Sequence, residues 1–390
     1  MMQLFLFLIL LLPNAAEAKF SVEDSISLTG GFDSNPLYRD ESLGFDYLVK
    51  VYPKLAFIYD TKEITLKVGG WADYDKYFKN TNQSSLGWNT AGELEARPYE
   101  STRIDFYADY TKNSDPILLD TESRYRWGSP TLKLVMDYRA PLSAWGFSSG
   151  FEATSKAYEL ASVQNFDNRK KYISMGGKYY FFPETALIFG IKSGYSTYTQ
   201  GRNAQPYGNT NSVYNEIYTG LNGKISSDIM MKLKFGFLWL DYQFGTDFNE
   251  PVVTLNITDI ISSIHSIKVE YERMAYDSTY SNFYVDNKLS VESKSVWFDS
   301  ITNLFTAQYI YRYYRAYPRR IDHRLGFITE FAVPLVTISK MGNENISFIT
   351  TVLAEWVNSD AYNNFGLYTG PDPSASYKRF VVLMGLTTKY

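Results

Sequence analysis

The sequence predicts an all-β chain: a single transmembrane antiparallel up-and-down β-barrel of about eighteen strands, with sixteen as the alternative count. Three observations predict it. A short apolar segment opens the chain, apolar and polar residues alternate from about residue 22 onward, and tight connections take turns with long ones.

Leu4 to Leu12 form a nine-residue apolar run, followed by Pro13, Asn14 and the small-residue series Ala15, Ala16, Glu17, Ala18. This is the pattern of an export signal with an A-x-A cleavage site. A membrane helix needs about twenty residues, so this run is too short to be one. The expected division is residues 1–18 as signal peptide, cleaved near Ala18, and residues 19–390 as barrel. Met1, Met2 and Gln3 depart from the pattern by adding no positive side chain. No Cys follows the run, so a lipid-anchored N-terminus is not expected. Beyond residue 19, charged or strongly polar residues interrupt every apolar stretch. A membrane chain without helices must close its sheet, because hydrocarbon cannot satisfy an open strand edge.

The alternation assigns faces. Ile64, Leu66, Val68, Gly70, Ala72 and Tyr74 oppose Thr65, Lys67, Gly69, Trp71, Asp73 and Asp75. Ile104, Phe106, Ala108 and Tyr110 likewise oppose Arg103, Asp105, Tyr107 and Asp109. Further on, Met231, Leu233, Phe235, Phe237 and Trp239 oppose Lys232, Lys234 and Gly236, and Val285, Leu289 and Val291 oppose Asp286, Lys288, Ser290 and Glu292. Soluble sandwiches alternate too, but their strands run about five or six residues, whereas these approach the length that crosses a bilayer at a tilt.

Tight connections are expected at Asp60 to Lys62, Pro98 to Ser101, Ala140 to Leu142, Pro183 to Glu184, Ser226 to Asp228, Ser262 to Ser263, Asp299 to Ser300 and Met341 to Asn345. Between them lie polar, Gly- and Pro-rich segments near 33–43, 79–86, 112–123, 158–169, 199–212, 244–251, 277–283, 316–320 and 358–377. Short turns on one side and long loops on the other are what a barrel with periplasmic turns requires. Phe57, Tyr59, Tyr138, Phe181, Phe182, Trp297 and Phe298 crowd the tight turns, where an interfacial aromatic girdle belongs.

Composition narrows the chemistry. With 34 Tyr, 26 Phe and 7 Trp against 2 His and no Cys, the chain is rich in residues suited to the membrane boundary. The absence of Cys excludes disulfides, thiol nucleophiles and iron–sulfur clusters. The net charge of −4 is spread over interspersed acids and bases, with no basic run for nucleic acid. No cofactor or metal is expected; Asp360 to Asp372 offers oxygen donors that could hold calcium, but a solvated loop has the same composition. Catalysis is not expected either. His265 is adjacent to Ser266, and His323 to Asp322, and adjacent strand residues point to opposite faces. A carboxylate from another strand remains the open alternative.

With the polar face inside, acids Asp73, Asp75, Glu93, Glu95, Asp105 and Asp286 share the interior with bases Lys50, Lys67, Arg97, Arg103, Lys232, Lys234, Lys288 and Arg324. Asp46, Asp137, Glu216, Lys133, Lys178 and Lys192 follow the same phase. A lumen charged in both signs orients polar solutes by its field, or else pairs its charges and stabilises a closed barrel. Tyr309 to Arg324 (YIYRYYRAYPRRIDHR) suits stacking on sugar rings or contact with anionic lipid. The lipid reading is preferred, because Tyr309, Tyr311 and Tyr313 share the membrane-facing phase.

Two segments carry a family resemblance. Phe380, Val382, Met384 and Leu386 share a face with the terminal Tyr390, which resembles the last strand of bacterial outer-membrane barrels. That resemblance implies recognition by the barrel-assembly machinery. GGFDSNP, at Gly30 to Pro36, is similar to the motif closing the first strand in barrels of exopolysaccharide-export clusters and in surface-lipoprotein assembly modifiers. Asp33, Ser34 and Asn35 form turns readily, and Gly30 and Gly31 would permit a bulge. These features imply an outer-membrane location among lipid and lipopolysaccharide. The expected function is porin-like diffusion of small polar solutes or saccharides. Export of a polysaccharide or surface lipoprotein, and a loop-borne enzyme or adhesin, are the alternatives. Oligomeric state is not legible.

Overall fold

The structure is a computed structural model that describes residues 18–36, 45–115, 125–159, 167–198, 210–278, 282–298, 300–314, 320–338, 344–361 and 376–389. Its strands are β1 (Lys19–Asp33), β2 (Asp46–Asp60), β3 (Ile64–Tyr77), β4 (Ser85–Tyr99), β5 (Thr102–Asp115) and β6 (Tyr125–Arg139). Next come β7 (Trp145–Tyr158), β8 (Asn168–Phe182), β9 (Thr185–Tyr198), β10 (Ser212–Lys224), β11 (Ile229–Tyr242) and β12 (Phe248–Ser262). The last six are β13 (His265–Asp277), β14 (Phe283–Trp297), β15 (Ile301–Tyr314), β16 (Arg320–Ile338), β17 (Glu344–Ala361) and β18 (Tyr377–Lys389).

Each strand pairs antiparallel with the next, and β18 returns to β1, from Ser25 opposite Lys389 to Asp33 opposite Val381. The chain is a closed 18-stranded antiparallel barrel. Closure supplies ladder partners for the first and last strands, which an open sheet in hydrocarbon would leave bare. Strands such as β1, with 15 residues, exceed the 9 to 11 that cross a bilayer at a tilt, so their ends stand beyond the apolar belt.

Period two sorts the faces as expected. Ile173 and Met175 on β8 are 57% and 61% exposed on the outside. Leu187, Phe189, Ile217 and Phe235 extend this exposed apolar surface over β9 to β11. A surface of this kind is stable only when hydrocarbon covers it.

The tight turns fall where the alternation places them, at 61–63, 100–101, 140–144, 183–184, 225–228 and 263–264. The expected turn at Met341 to Asn345 lies partly outside the described residues, and β17 already begins at Glu344. Three long connections are shorter than expected: β5 runs to Asp115 and β17 to Ala361, into the predicted loops 112–123 and 358–377, and β12 starts at Phe248 and takes up half of the predicted loop 244–251. Pro251 makes that segment read as a loop. In the sheet it sits opposite Phe237, while the β12–β13 ladder begins only at Val253 opposite Arg273. A residue without an N–H is tolerated where no neighbouring strand asks for one.

That missing stretch of ladder shapes the barrel. Toward the loop end, β13 and β14 leave the wall and slide inside β11 and β12. Phe283 and Val285, in membrane-facing phase, are 1% and 0% exposed because they pack on Leu238, Leu240, Phe248 and Val252 of the inner wall. The Tyr242 ring stacks on Phe283 at 5.8 Å. This two-layer patch is a hydrophobic core inside the barrel. It corrects the expectation that Val285 and Tyr313 face lipid: Tyr313 packs against the same core, and its hydroxyl bonds Glu250 at 3.2 Å. The phase was read correctly, but the strands carrying it turn inward.

The expected bulge at Gly30 and Gly31 is also absent; β1 keeps continuous register with both β2 and β18. Gly31 is needed for a different reason, since a Cβ there would lie 1.7 Å from the Val382 carbonyl oxygen.

Candidate functional site: the inner wall and the inward hairpin

The interior charges come together as neighbours on one face. Lys50 meets Asp75 at 3.3 Å, and Lys67 reaches Glu23 two strands away at 2.7 Å. Glu95 takes Arg97 at 2.6 Å and Arg103 at 3.0 Å, and Arg103 also holds Asp105 at 2.9 Å. Lys234 meets Glu216 at 2.5 Å, and Arg324 meets Asp322 at 3.4 Å. Asp73 lies beside Tyr52, Glu93 beside Tyr107, and Lys288 opposite Glu272. Lys232 is flanked by Asn222 and Asn256. Asp286 is gripped by Arg312 through two bonds of 2.7 and 2.8 Å, a partner that the alternation did not single out.

The wall is hollow where these pairs lie. Arg103 and Lys133, both pointing inward, keep 49% and 48% of their side chains accessible. Charge is distributed unevenly around it. On β6 to β11 the inner face carries Lys133, Lys156, Lys170, Lys178, Lys192, Lys232 and Lys234 against Asp137, Glu152 and Glu216. On β3 to β5 acids outnumber bases. Several lysines lie on rings as well as beside acids: Lys192 is 4.3 Å from the Tyr172 centroid, and Lys156 is 4.1 Å from that of Trp127.

The inward position of the β13–β14 hairpin is proved by contacts that skip strands. Asp277, at the end of β13, pairs with Lys170 of β8 and accepts a 2.7 Å bond from the Tyr198 hydroxyl of β9. Five strand spacings of about 4.8 Å put β8 about 24 Å from β13 along the wall, so the contact must cross the interior. At the tip, Asn282 donates to the Phe244 carbonyl at 2.6 Å and meets the Thr210 hydroxyl at 3.3 Å. Arg273 ties the base of the split to Glu250, the Pro251 carbonyl and Asn287. Facing the remaining opening are Tyr276 and Tyr284, stacked at 5.7 Å, with the Arg312 guanidinium 3.8 Å from the Tyr284 ring centroid. Sequence reading missed this element because Asp277 and Asn282 look like ordinary loop residues.

Two further constellations flank the lumen. Asp33, fully buried, receives Arg379 in a fork with bonds of 3.1 and 2.6 Å, the Tyr77 hydroxyl at 3.0 Å and the Asn35 N–H at 3.0 Å. Ser34 bonds Phe380 in both directions, and the Asn35 amide donates to the Lys378 carbonyl. The GGFDSNP segment thus clamps β1 to β18. Asp46, also buried, accepts the N–H groups of Lys79 and Asn80 at 2.9 and 2.7 Å. Burial pushes its pKa up, but these donors outweigh it and hold the carboxyl below its ordinary value.

The histidines meet hydroxyls on neighbouring strands. His265 Nδ1 lies 2.8 Å from Ser295 Oγ, and His323 Nδ1 lies 2.8 Å from the Tyr309 hydroxyl. Phe380, Val382, Met384 and Leu386 line the outer face of β18, as expected, while Tyr390 lies outside the described residues. Residues 1–17 and most of the Asp360 to Asp372 segment also lie outside them.

Fold and interior together define a class: a closed outer-membrane-type β-barrel with a charged, partly occluded lumen. No protein-family model and no curated protein matches the chain by sequence. Solved structures do resemble it. Pseudomonas aeruginosa OccK2 (OpdF) aligns over 95% of this chain and 98% of its own, at 9% identity and a TM-score of 0.49. Outer membrane protein OpdK of the same organism aligns over 95% and 99%, at 8% identity and 0.46. The P. aeruginosa siderophore receptor PirA aligns over 95% of this chain and 80% of its own, at 8% identity and 0.40.

Proposed function

We propose that the chain is a porin-like channel of the bacterial outer membrane, passing small polar solutes or saccharides by diffusion and favouring anionic ones. The observation that carries this reading is the basic arc on β6 to β11, set in a hollow wall beside the acid-rich strands β3 to β5. A lumen with bases on one side and acids on the other exerts a transverse field, which admits and orients polar solutes. The stacked Tyr52 and Trp71 pair, 5.8 Å apart on the inner wall, offers a face for sugar rings. The inward hairpin narrows the path, which suits small solutes better than a polymer or lipoprotein.

Planar-bilayer recording on the purified barrel tests this. The expected result is stable conductance steps with a reversal potential favouring anions, shifted toward cations in the Lys192→Glu, Lys234→Glu double variant. A barrel that inserts yet stays electrically silent would overturn the reading.

Three further parts belong to the same proposal. The N-terminal run directs export and is removed after Ala18, so N-terminal sequencing of the mature protein should begin at Lys19. The outward Phe380, Val382, Met384 and Leu386 row, with Tyr390, is the signal read by the barrel-assembly machinery. We assign no hydrolytic step to the His265–Ser295 and His323–Tyr309 contacts.

A further inference from the structure

On the outer face of β15 to β18, the apolar belt ends abruptly. Outward positions on β16 run Val333, Phe331, Thr329, Phe327 and Leu325, and the next is His323. On β17 they run from Phe348 to Trp356, and the next is Asn358; on β18, Leu386 to Phe380 is followed by Lys378. Register aligns these ends. Tyr309, Leu325, Trp356 and Lys378 form one transverse row, with Tyr311, His323 and Asn358 directly beyond it.

A cavity of about 430 Å³ opens across this boundary, its apolar part formed by Tyr309, Leu325 and Trp356 and its polar part by His323, Asn358 and Lys378. The Tyr309 hydroxyl bonds His323 Nδ1 at 2.8 Å, which fixes the imidazole in the wall, and Trp356 packs edge-on against Phe327 at 5.9 Å. Lys378 is exposed. The outward positions from Phe305 to Tyr311, Val333 to His323, Phe348 to Asn358 and Leu386 to Lys378 carry no acid; Asp360, opposite Ile321, follows Asn358 in the same phase. An apolar floor at hydrocarbon level, with donors and a cation directly above it, matches one ligand chemistry: an acyl chain below and an anionic headgroup above.

We propose that this cavity binds a phosphorylated lipid of the outer leaflet, with its acyl chain along Leu325 and Trp356 and its phosphate at Lys378, Asn358 and His323. The proposal rests on the reading that the outer face is embedded in the outer membrane.

The test is lipid retention by the full-length barrel in detergent. The probe is a bisphosphorylated acyl-diglucosamine lipid, and bound copies are counted by native mass spectrometry. Wild type should retain this lipid, and Lys378→Glu should weaken retention about tenfold or more. Trp356→Ala should weaken it as well, with heat-modifiable gel migration confirming that both variants are folded. Lys171→Glu reverses a cation near the end of the outer face of β8 and should change little. Equal retention of the dephosphorylated lipid, displacement by an equal concentration of inorganic phosphate, or an equal loss in Lys171→Glu would each overturn the site. A barrel that conducts but retains no lipid refutes only the cavity; one that retains lipid but stays silent refutes only the channel.

Discussion

Gly31 and Asp33 act at the one place where the first strand must find the last. A methyl group at residue 31 would collide with the Val382 backbone, whereas at Gly30 the nearest atoms lie 3.9 Å away. Gly31→Ala is therefore expected to lower the temperature at which the folded gel band converts to the unfolded one, and Gly30→Ala to leave it nearly unchanged. Arg379→Gln strands the buried Asp33 carboxylate with Tyr77 and the Asn35 N–H as its remaining donors. Breaking a buried pair from one side costs about 3 kcal/mol or more, so urea titration should show a marked fall in stability. Asp46 responds to pH with a definite sign. Its folded pKa lies below the ordinary 3.8, so its hold on Lys79 and Asn80 is complete above that value and is lost as pH falls through the lower folded one. Amide shifts of Lys79 and Asn80 should stay flat from neutral pH to about 4 and move only below it.

At the scale of the element, the β13–β14 hairpin is held by two kinds of force. Its membrane-phase side chains bury themselves on the inner wall, while Asp277 and Asn282 tie its tip to β8, β9 and the β11–β12 connection. Asp277→Ala combined with Asn282→Ala removes the polar ties but leaves the Phe283 and Val285 contacts, so the hairpin should loosen rather than unfold. Single-channel conductance is expected to rise and become noisier. Unchanged conductance would show that the hairpin does not limit the path. Because the chain has no Cys, the docked position can be checked directly. Thr210→Cys with Asn282→Cys, whose side chains now meet at 3.3 Å, should cross-link readily under mild oxidation.

Across the whole molecule, the bases of β6 to β11 face a lumen whose other walls hold more acid, and ion pairs bridge alternate strands, as Lys178 does to Asp137 at 2.5 Å. Pairing stiffens the wall without cancelling the imbalance that the proposed anion preference rests on. The closed wall, the phase of each strand and nearly every turn were legible in the residues because period-two alternation and turn chemistry are local properties. The mixed-charge interior followed from the same phase. The clamp at Asp33 was visible only as a turn-forming motif, because its partner Arg379 lies at the far end of the chain. The inward hairpin was not legible at all. Val285 and Tyr313 carry a membrane-facing phase, and only tertiary packing decides whether that face meets lipid or the inner wall of another strand. Local pattern determines which residues share a face; what that face touches depends on where the ladder between β12 and β13 stops.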